Sequence, residues 1–434
     1  MEEQEDSYIE VIGSSKANSL SAEGWRKLKK NRYAMSGLFV IILALLIAIF
    51  SPMIRPDGTV DADEAIIEIL SKKPGFTANI LMITENKDEE SSVWGRMFTG
   101  GKDDGIKHRA FHSFRIDYPN IIIEEYSKHK EESWYQPREN KYPLVDVAFN
   151  LEDAIDSDNP GKKRVIKKEN GDGTVSFLLR NDSVFTTMSY KEIEQIVKDD
   201  FIEDRTYWLG TDVQGRDYLS RLMGGTVISL SVGFIAVFIS LIIGVTLGAV
   251  AGYFRGWVDE IIMWFINVIW SIPALLLVIA ITMVIGKGFE KTFIAVGLTM
   301  WVEIARVVRG QVLSVREKEY IEAGRALGYR SSRIIFKHVL PNITGPIIVI
   351  AAANFASAIL IEAGLSFLGL GAQIPTPSWG SMINDYRNYI TDDMAYLCIL
   401  PGAAIVIMVL AFMLVGNGLR DALDTKSVDE IAGT

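Results

Sequence analysis

The chain has 434 residues, 49% of them hydrophobic and 23% charged, with a formal net charge of −10. An acidic balance combined with a mean hydropathy of +0.20 excludes a basic nucleic-acid binder and requires charge and apolar residues to be segregated along the chain. They are: residues 55–206 hold 22 basic and 31 acidic residues, a net of −9, and the rest of the chain is close to neutral.

Residues 1–24 are polar and without periodicity, which predicts a tail. The run WRKLKKNR, Trp25 to Arg32, places five basic residues among eight. Tyr33 to Ile54 then carries no charge, long enough to cross a hydrocarbon core of ~30 Å at ~1.5 Å per residue. A cleaved signal peptide fits less well, because the apolar run is too long, starts late and is followed by no small-residue cleavage site. The basic cluster puts the N-terminus in the cytoplasm. Trp25 and Leu28 suit a short interfacial helix before the span.

Residues 55–206 then fall outside the membrane and read as one small α+β domain. Val175 to Leu179 and Val184 to Met188 read as strands about the turn Asn181-Asp182. Tyr190 to Phe201 reads as an amphipathic helix, and Tyr142 to Phe149 as a loosely alternating strand. Gly100 to Gly105 is turn-rich. His108, His112 and His129 raise the question of a metal site. His108 and His112 are four apart, but they fall in an aromatic, loop-like stretch rather than on a helix with a carboxylate beside them, so packing or surface histidines are the expectation. The one cysteine of the chain, Cys398, excludes an internal disulfide framework.

Trp208 to Gly225, WLGTDVQGRDYLSRLMGG, brackets a turn with Gly210-Thr211-Asp212 and Gly215-Arg216-Asp217. By chemistry alone it is a capped helix start, with Asp217 able to satisfy orphan N–H groups. Five apolar segments follow, at about 226–254, 261–285, 291–308, 343–368 and 394–419, making six spans with the first at 33–54. Gly244 and Gly248 in the second are spaced as GxxxG, which permits close helix contact. Pro273 predicts a kink in the third. Glu303, Arg306 and Arg309 end the fourth where it leaves the bilayer. Gly371 to Ile390 is an outer loop with Pro375, Pro377 and Trp379.

Between the fourth and fifth spans lies a coupling loop, 316–341, whose stretch Glu322 to Pro341 reads EAGRALGYRSSRIIFKHVLP. Glu322, Ala323 and Gly324 are followed by Gly328, basic residues and Leu340-Pro341. Two short helices broken near Gly328 would make a knob with a small-residue face. Pro341 is where a new helix can begin but the old one cannot continue. Six spans with the N-terminus inside place this knob inside as well, and the acidic insertion outside.

The loop resembles the EAA loop of ABC-importer permeases: Glu322, Ala323, Gly328, Leu340 and Pro341 fit. Gly324 stands where a third Ala is usual and His338 where Ile is usual. The segment 208–225 resembles, almost letter for letter, the stretch before the second span in the C-type permease of dipeptide, oligopeptide and nickel ABC importers. Gly252 to Asp259, Glu362 to Gly371 (EAGLSFLGLG), Pro375 to Gly380 and Gly418 to Asp424 resemble the same family. Trp264 and Asn267 stand where Arg and Asp are expected, and the large insertion is unusual. The resemblance covers 208–425 and, more weakly, 25–54.

The resemblance implies an all-α polytopic membrane protein with six helices of the type I ABC importer permease fold, interrupted by the extracytoplasmic insertion. It implies the bacterial inner membrane, with both termini, including the tail 426–434, in the cytoplasm. It implies a second homologous permease subunit, two cytoplasmic ABC ATPases that bind ATP and Mg, an extracytoplasmic solute-binding protein, a membrane-lipid environment and no nucleic acid. The loop residues Glu322, Ala323, Gly324, Arg325, Gly328, Arg330, His338, Leu340 and Pro341 are the expected ATPase dock. Arg325 and Arg330 are expected to meet acidic groups or helix C-termini of the ATPase, although they would equally suit positive-inside residues that only orient the loop.

Asn267, Trp270 and Glu362 are candidates for the pathway or its gate. For Glu362, a carboxylate in a membrane segment, the competing reading is a helix-packing hydrogen bond. The chain contains no G-x-x-x-x-G-K-[ST] phosphate cradle, no His-Glu-x-x-His and no nucleophile elbow in the insertion. No cofactor is expected in this chain, and the work is expected to come from its partners. The cargo reading is a di- or oligopeptide, with nickel or another small solute as the alternative. A membrane-tethered receptor or enzyme acting through 55–206 is the alternative of another class, and it needs one span rather than six. An ion-driven transporter would want an inverted repeat and mid-membrane charges, neither of which is clear.

Overall fold

The computed structural model describes residues 20–85, 105–132, 134–155 and 163–423. The tail before residue 20, most of the turn-rich run 100–105 and the end beyond 423 lie outside the described residues. Helix α1, Leu20–Lys30, is amphipathic and basic in its last turn. Asn31 accepts a hydrogen bond from the Ala34 N–H and caps α2, Arg32–Ile54. Leu28 is buried with Ala34 and Ala422, so α1 is tied to the end of the chain, while Trp25 is exposed beside Lys29.

A short 3₁₀ turn at Ile67–Ile69 precedes β1, Phe76–Thr84, and β2, Ile106–Asp117. Then come β3, Asn120–Glu125, β4, Glu139–Pro143, and α3, Leu144–Ala148. The expected strand 142–149 is therefore half helix. Pro143 ends β4 and serves as the N-cap position of α3, because its missing N–H cannot extend the ladder and its fixed φ suits a helix entry. Three-residue strands β5, Asp153–Ile155, β6, Lys163–Val165, and β7, Lys167–Glu169, lead to β8, Thr174–Leu178, and β9, Phe185–Ser189. Ser189 and Glu192 form a capping box on α4, Tyr190–Asp200, and β10, Ile202–Tyr207, closes the region.

The main sheet runs β10-β1-β2-β3-β4, antiparallel throughout. Alternate residues of a strand face opposite ways, and both faces are used. Leu81, Phe111, Ile121 and Ile123 pack with Leu144, Val145 and Val147 of α3 and Ile193 and Val197 of α4. Ala78, Ile80, Ala110 and Tyr207 pack instead on Ile66 and Ile69. At roughly 1.5–3 kcal/mol per buried aliphatic side chain, those two isoleucines hold the sheet firmly to the segment that follows α2.

The region holds both strands and helices, and its first and last strands are neighbours. Phe76 pairs with Tyr207, so the β-rich unit enters and leaves through adjacent strands. Residues 55–75 pack both on the sheet, through Ile66 and Ile69, and on the segment 210–217. His108 and His112 lie on β2 rather than in a loop. The β-bulge between Phe111 and Ser113 explains the irregular pattern read in the sequence. His108 is buried against Glu64, His112 bonds Ser127, and His129 bonds Glu132. They serve three separate places.

Helix α5, Tyr218–Phe254, has 37 residues. Arg255 and Gly256 both take φ near +57°, and the chain turns back into α6, Gly256–Trp270, followed by α7, Ala274–Ile285. The expected kink at Pro273 is a break: α6 and α7 meet at 90°. Helix α8, Phe289–Arg316, is longer than the apolar run 291–308. Next come α9, Glu319–Ala326, α10, Ser331–Ile334, α11, Thr344–Phe367, α12, Trp379–Tyr386, and α13, Tyr396–Leu423. Helix α12 occupies the stretch read as an outer loop.

Among the described residues, four helical stretches are long and apolar enough to cross a membrane, 32–54, 218–254, 331–367 and 396–423, and the expected span 291–308 is not one of them. The bent pair α6–α7 makes a fifth if it is one span. Helix α8 carries Glu303, Arg306 and Arg309 within its C-terminal half.

The stretch 331–367 corrects the expectation of a stop at Pro341. The backbone stays helical, widening to π over Ile335–Val339 and tightening to 3₁₀ over Leu340–Ile343 before α11. The change of winding accommodates the absent proline N–H.

Candidate functional site

Two regions hold the residues singled out from the sequence, one at each end of the helical core. At the coupling loop, Gly328 has φ +75° and separates α9 from α10. It is not a helix-interior glycine; its place requires a left-handed backbone, which a side chain disfavours. Tyr329 N–H donates to the Gly324 carbonyl and closes the turn. A Cβ on Gly324 would stand 3.4 Å from the Tyr329 ring.

The loop's buried side is apolar. Ile321, Ile334, Ile335, Val339 and Ile343 pack with Ala249 and Tyr253 of α5 and with Ile304, Val308 and Val312 of α8. The knob is bolted to two long helices. Its outward side carries Glu322, Ala323, Gly328, Arg330 and Pro341, all exposed. Leu327 and Phe336 are exposed by 71% and 69%. Those two apolar groups were not singled out from the sequence; the visible signal was two bulky apolar residues within a basic run. Glu319 and Glu322 occupy the first turn of α9, where the helix dipole favours a carboxylate.

Two expected docking residues turn inward. The Arg325 guanidinium lies 5.3 Å over the Tyr253 ring, which ties α9 to the end of α5. His338 stacks on Tyr329, centroids 6.0 Å apart, with Arg333 on the same ring at 4.2 Å. Leu340 is half-buried beside the loop's apolar cluster. Arg325 and His338, both half-buried, thus brace the knob.

At the opposite end, the motif 210–217 forms a buried polar knot. Asp212 Oδ1 accepts from the Gln214 N–H at 2.8 Å and the Arg216 N–H at 3.0 Å. Its Oδ2 accepts from Arg216 Nε at 2.7 Å and from the Tyr386 hydroxyl of α12 at 2.8 Å. Burial pushes the Tyr386 phenol up from its ordinary range, so it holds the proton it donates. Asp217 caps α5 by accepting from the Ser220 N–H at 2.8 Å, as its position predicts. Burial raises its carboxyl, against the lowering effect of the Ser220 hydrogen bonds.

The same knot grips the segment after α2. Thr211 Oγ1 accepts from the Lys72 N–H at 2.9 Å, and Ser220 Oγ accepts from the Asp57 N–H at 3.0 Å. Gly210 and Gly215 have φ +74° and +78°. A Cβ on either would stand about 2 Å from the Lys72 or Ile66 carbonyl oxygen respectively. These glycines are therefore required twice over, by backbone angle and by close approach.

The pathway candidates separate. Glu362 is 1% exposed; Ser366 Oγ donates to it at 2.8 Å and Ser229 Oγ of α5 at 3.2 Å. It cross-ties α5 and α11, the helix-packing hydrogen bond that the sequence also allowed. Asn267 and Trp270 are exposed on α6 and meet Arg306 of α8. The Arg306 Nη2 donates to Asn267 Oδ1 at 2.7 Å, and its guanidinium lies 3.7 Å over the Trp270 ring.

Comparison with known proteins adds a family. The family described as binding-protein-dependent transport system inner membrane component matches residues 244–428. The N-terminal TM domain of oligopeptide transport permease C matches residues 19–72. The β-rich unit 76–207 falls between the two. Dipeptide transport system permease protein DppC of Alkalihalophilus pseudofirmus is 44% identical over 220 residues, 51% of this chain and 72% of the relative. Glutathione transport system permease protein GsiD of Pectobacterium atrosepticum is 43% identical over 51% of this chain and 73% of its own. Oligopeptide transport system permease protein OppC of Bacillus subtilis is 41% identical over 51% and 72%. Among solved structures, the inward-facing MetNI methionine ABC transporter aligns with a TM-score of 0.41 and 20% identity, over 48% of this chain and 97% of that one.

Proposed function

The chain belongs to the family of binding-protein-dependent transport system inner membrane components, whose members are transport permeases rather than catalytic enzymes, and we propose that it is the peptide-importing member of an ATP-driven complex. In this reading α8 is the fourth of six spans, with Arg306 and Arg309 of its C-terminal half turned toward α6. Both termini face the cytoplasm of a bacterium with this permease in its inner membrane, and the unit 76–207 stands outside.

The observation that carries the reading is the knob 319–343, bolted to α5 and α8 and presenting Glu322, Ala323, Leu327, Arg330 and Phe336. A cytoplasmic ATPase has an exposed, mixed apolar and charged surface there to seat on. ATP and Mg belong to a pair of such subunits, and the chain supplies no phosphate cradle of its own. When the ATPases close, the knob moves as one body with α5 and α8 and tilts them, and a second homologous permease supplies the other wall of the path. An extracytoplasmic binding protein delivers the solute at the end marked by 210–217 and α12, with the β-rich unit enlarging its dock. Relatives named for dipeptide, oligopeptide and glutathione transport favour a peptide over nickel.

The test is reconstitution of the permease with its partner subunits in liposomes. ATP-dependent accumulation of a labelled dipeptide, suppressed by Glu322→Lys, is expected. Accumulation of nickel but not dipeptide, or dipeptide uptake unaffected by Glu322→Lys, would contradict it.

A further inference from the structure

Helices α2 and α13 are both long and apolar enough to cross a membrane, and together they fix the level of its outer boundary. They run antiparallel in contact: Gly418 abuts Ala34, and a Cβ on Gly37 would stand 2.6 Å from the Ala411 carbonyl oxygen. At equal rise per residue, Arg55, the first charge beyond α2, comes level with the start of α13. Asp392 and Asp393, the last charges before α13, lie at the same level. From Met394 to Leu419 the chain carries no charge. Tyr396 to Leu419 rises ~35 Å, against a hydrocarbon core of ~30 Å and ~40–45 Å with headgroups. Tyr396 therefore stands in one headgroup layer and Arg420 in the other.

A turn is pinned at that level. The Gly210 N–H donates to the Tyr207 carbonyl at 3.0 Å, which leaves Trp208 and Leu209 as the central pair. Leu209 turns in and packs on the cluster of Tyr218, Tyr386 and Leu397, as do Tyr389, Tyr396 and Leu400. Trp208 turns out and is 69% exposed. The Tyr396 hydroxyl donates to the Lys72 carbonyl at 2.9 Å, and the same oxygen accepts the Thr211 N–H at 3.0 Å. The turn is thereby held to the first residues of α13.

The helix face below the turn is apolar and uncovered. Tyr396 and Leu400 are one turn apart, and their face of α13 continues at helical spacing through Ala403, Ile407 and Leu410, all exposed. Ile390, directly after Tyr389, adds an exposed apolar group at the head of this stripe. A single exposed apolar side chain needs no explanation. Trp208 differs in its place, at the end of a continuous apolar stripe and at the level where charge begins. An indole is an apolar body with one N–H, and tryptophan is enriched where hydrocarbon meets headgroups for that reason.

We propose that Trp208, with Ile390, seats in the headgroup layer of the bilayer and holds the neck of the β-rich unit against the membrane surface. The occupant is lipid because the patch continues the uncovered apolar face of a membrane-crossing helix. Strand β10 ends at Tyr207, the residue before Trp208, and pairs with β1 at Phe76. A lipid contact at Trp208 therefore sets the angle at which the unit stands over the helices. The proposal goes beyond the transport reading and does not depend on which solute is carried.

The experiment uses the assembled complex in liposomes, with partner subunits free of reactive cysteine. Cys398→Ser removes the one cysteine of the chain. Trp208→Cys and Ile390→Cys then supply, in separate variants, single sites for a bimane label. Trp134→Cys, between β3 and β4 at the edge of the sheet away from β10, is the comparison. The quenchers are phosphatidylcholine with a nitroxide on its headgroup, the same lipid with a mid-chain nitroxide, and a water-soluble nitroxide. At 208 and 390 the headgroup nitroxide is expected to quench about threefold more strongly than the mid-chain one, while 134 responds to the soluble quencher alone. Quenching of 208 or 390 by the soluble nitroxide alone would overturn the proposal. Loss of lipid quenching when the binding protein is added, or a cross-link from 208 to the second permease, would also overturn it, by assigning the patch to a protein. The measurement needs no transport, so a complex that imports no peptide leaves it readable.

Discussion

Gly248 of α5 lies so close to Ala305 of α8 that a Cβ on the glycine would stand 2.5 Å from the Ala305 carbonyl oxygen. Gly244 makes the same approach one turn earlier, to Trp301 and Ile304. The two helices that hold the knob are thus in backbone contact along the GxxxG face, and they move together or not at all. Gly248→Ala is expected to wedge them apart at a cost of about 1–3 kcal/mol, as overpacking usually does. Thermal unfolding in detergent should show the loss, and an unchanged midpoint would show that the helices can separate freely.

Asp212 is the hub of the outer knot, and its loss should leave Arg216 buried without a carboxylate. Removing one partner of a buried pair costs about 3–5 kcal/mol. Asp212→Asn is expected to become protease-sensitive, while Asp212→Asn with Arg216→Gln recovers part of the loss. A double variant no better than the single would show that the pair is not what Asp212 supports.

The β-rich unit should be separable at its neck, because Phe76 and Tyr207 are paired neighbours. Excision of 76–207 with a short Gly-Ser bridge is expected to leave a folded permease. A cut at 60–200 removes Ile66, Ile69 and the Lys72 contact and should not fold. Binding-protein capture by the 76–207 deletion, compared with the full chain, then reads the unit's role directly: capture is expected to weaken, and equal capture would argue against an enlarged dock.

Gly328→Trp and Glu322→Lys act on the knob in different ways. The first forces a bulky side chain into a left-handed position, at roughly 1–2 kcal/mol of strain. The second reverses a charge in the first turn of α9. Both are expected to abolish ATPase association and uptake with membrane insertion intact, whereas Arg325→Gln, whose group faces Tyr253, should loosen the knob without removing a contact surface. Normal association in the first two variants would take the dock away from this loop.

Four of the spans and the shape of the knob were legible because their signals are local: charge-free length for α2, cap chemistry for Asp217, spacing for Glu322 to Pro341. What could not be read was direction. Nothing in the sequence says that Arg325 and His338 turn inward onto aromatic rings while Leu327 and Phe336 turn out. For Glu362 the membrane segment was visible but its serine partners, Ser229 and Ser366, were not; the first of these is 133 residues away. The neck was hidden for the same reason: residues 55–75 share the insertion's acidity, and only the structure shows Ile66 and Ile69 packed on the sheet and Lys72 bonded to Thr211.

The central claim is that the knob meets an ATPase on the cytoplasmic side. Leu327→Cys, in a chain whose Cys398 is replaced by Ser, should cross-link to a nucleotide-hydrolysing subunit in native membranes and react with an impermeant maleimide only from the inner face. Labelling from the outer face, or a complete absence of cross-link to such a subunit in an assembled complex, would contradict it.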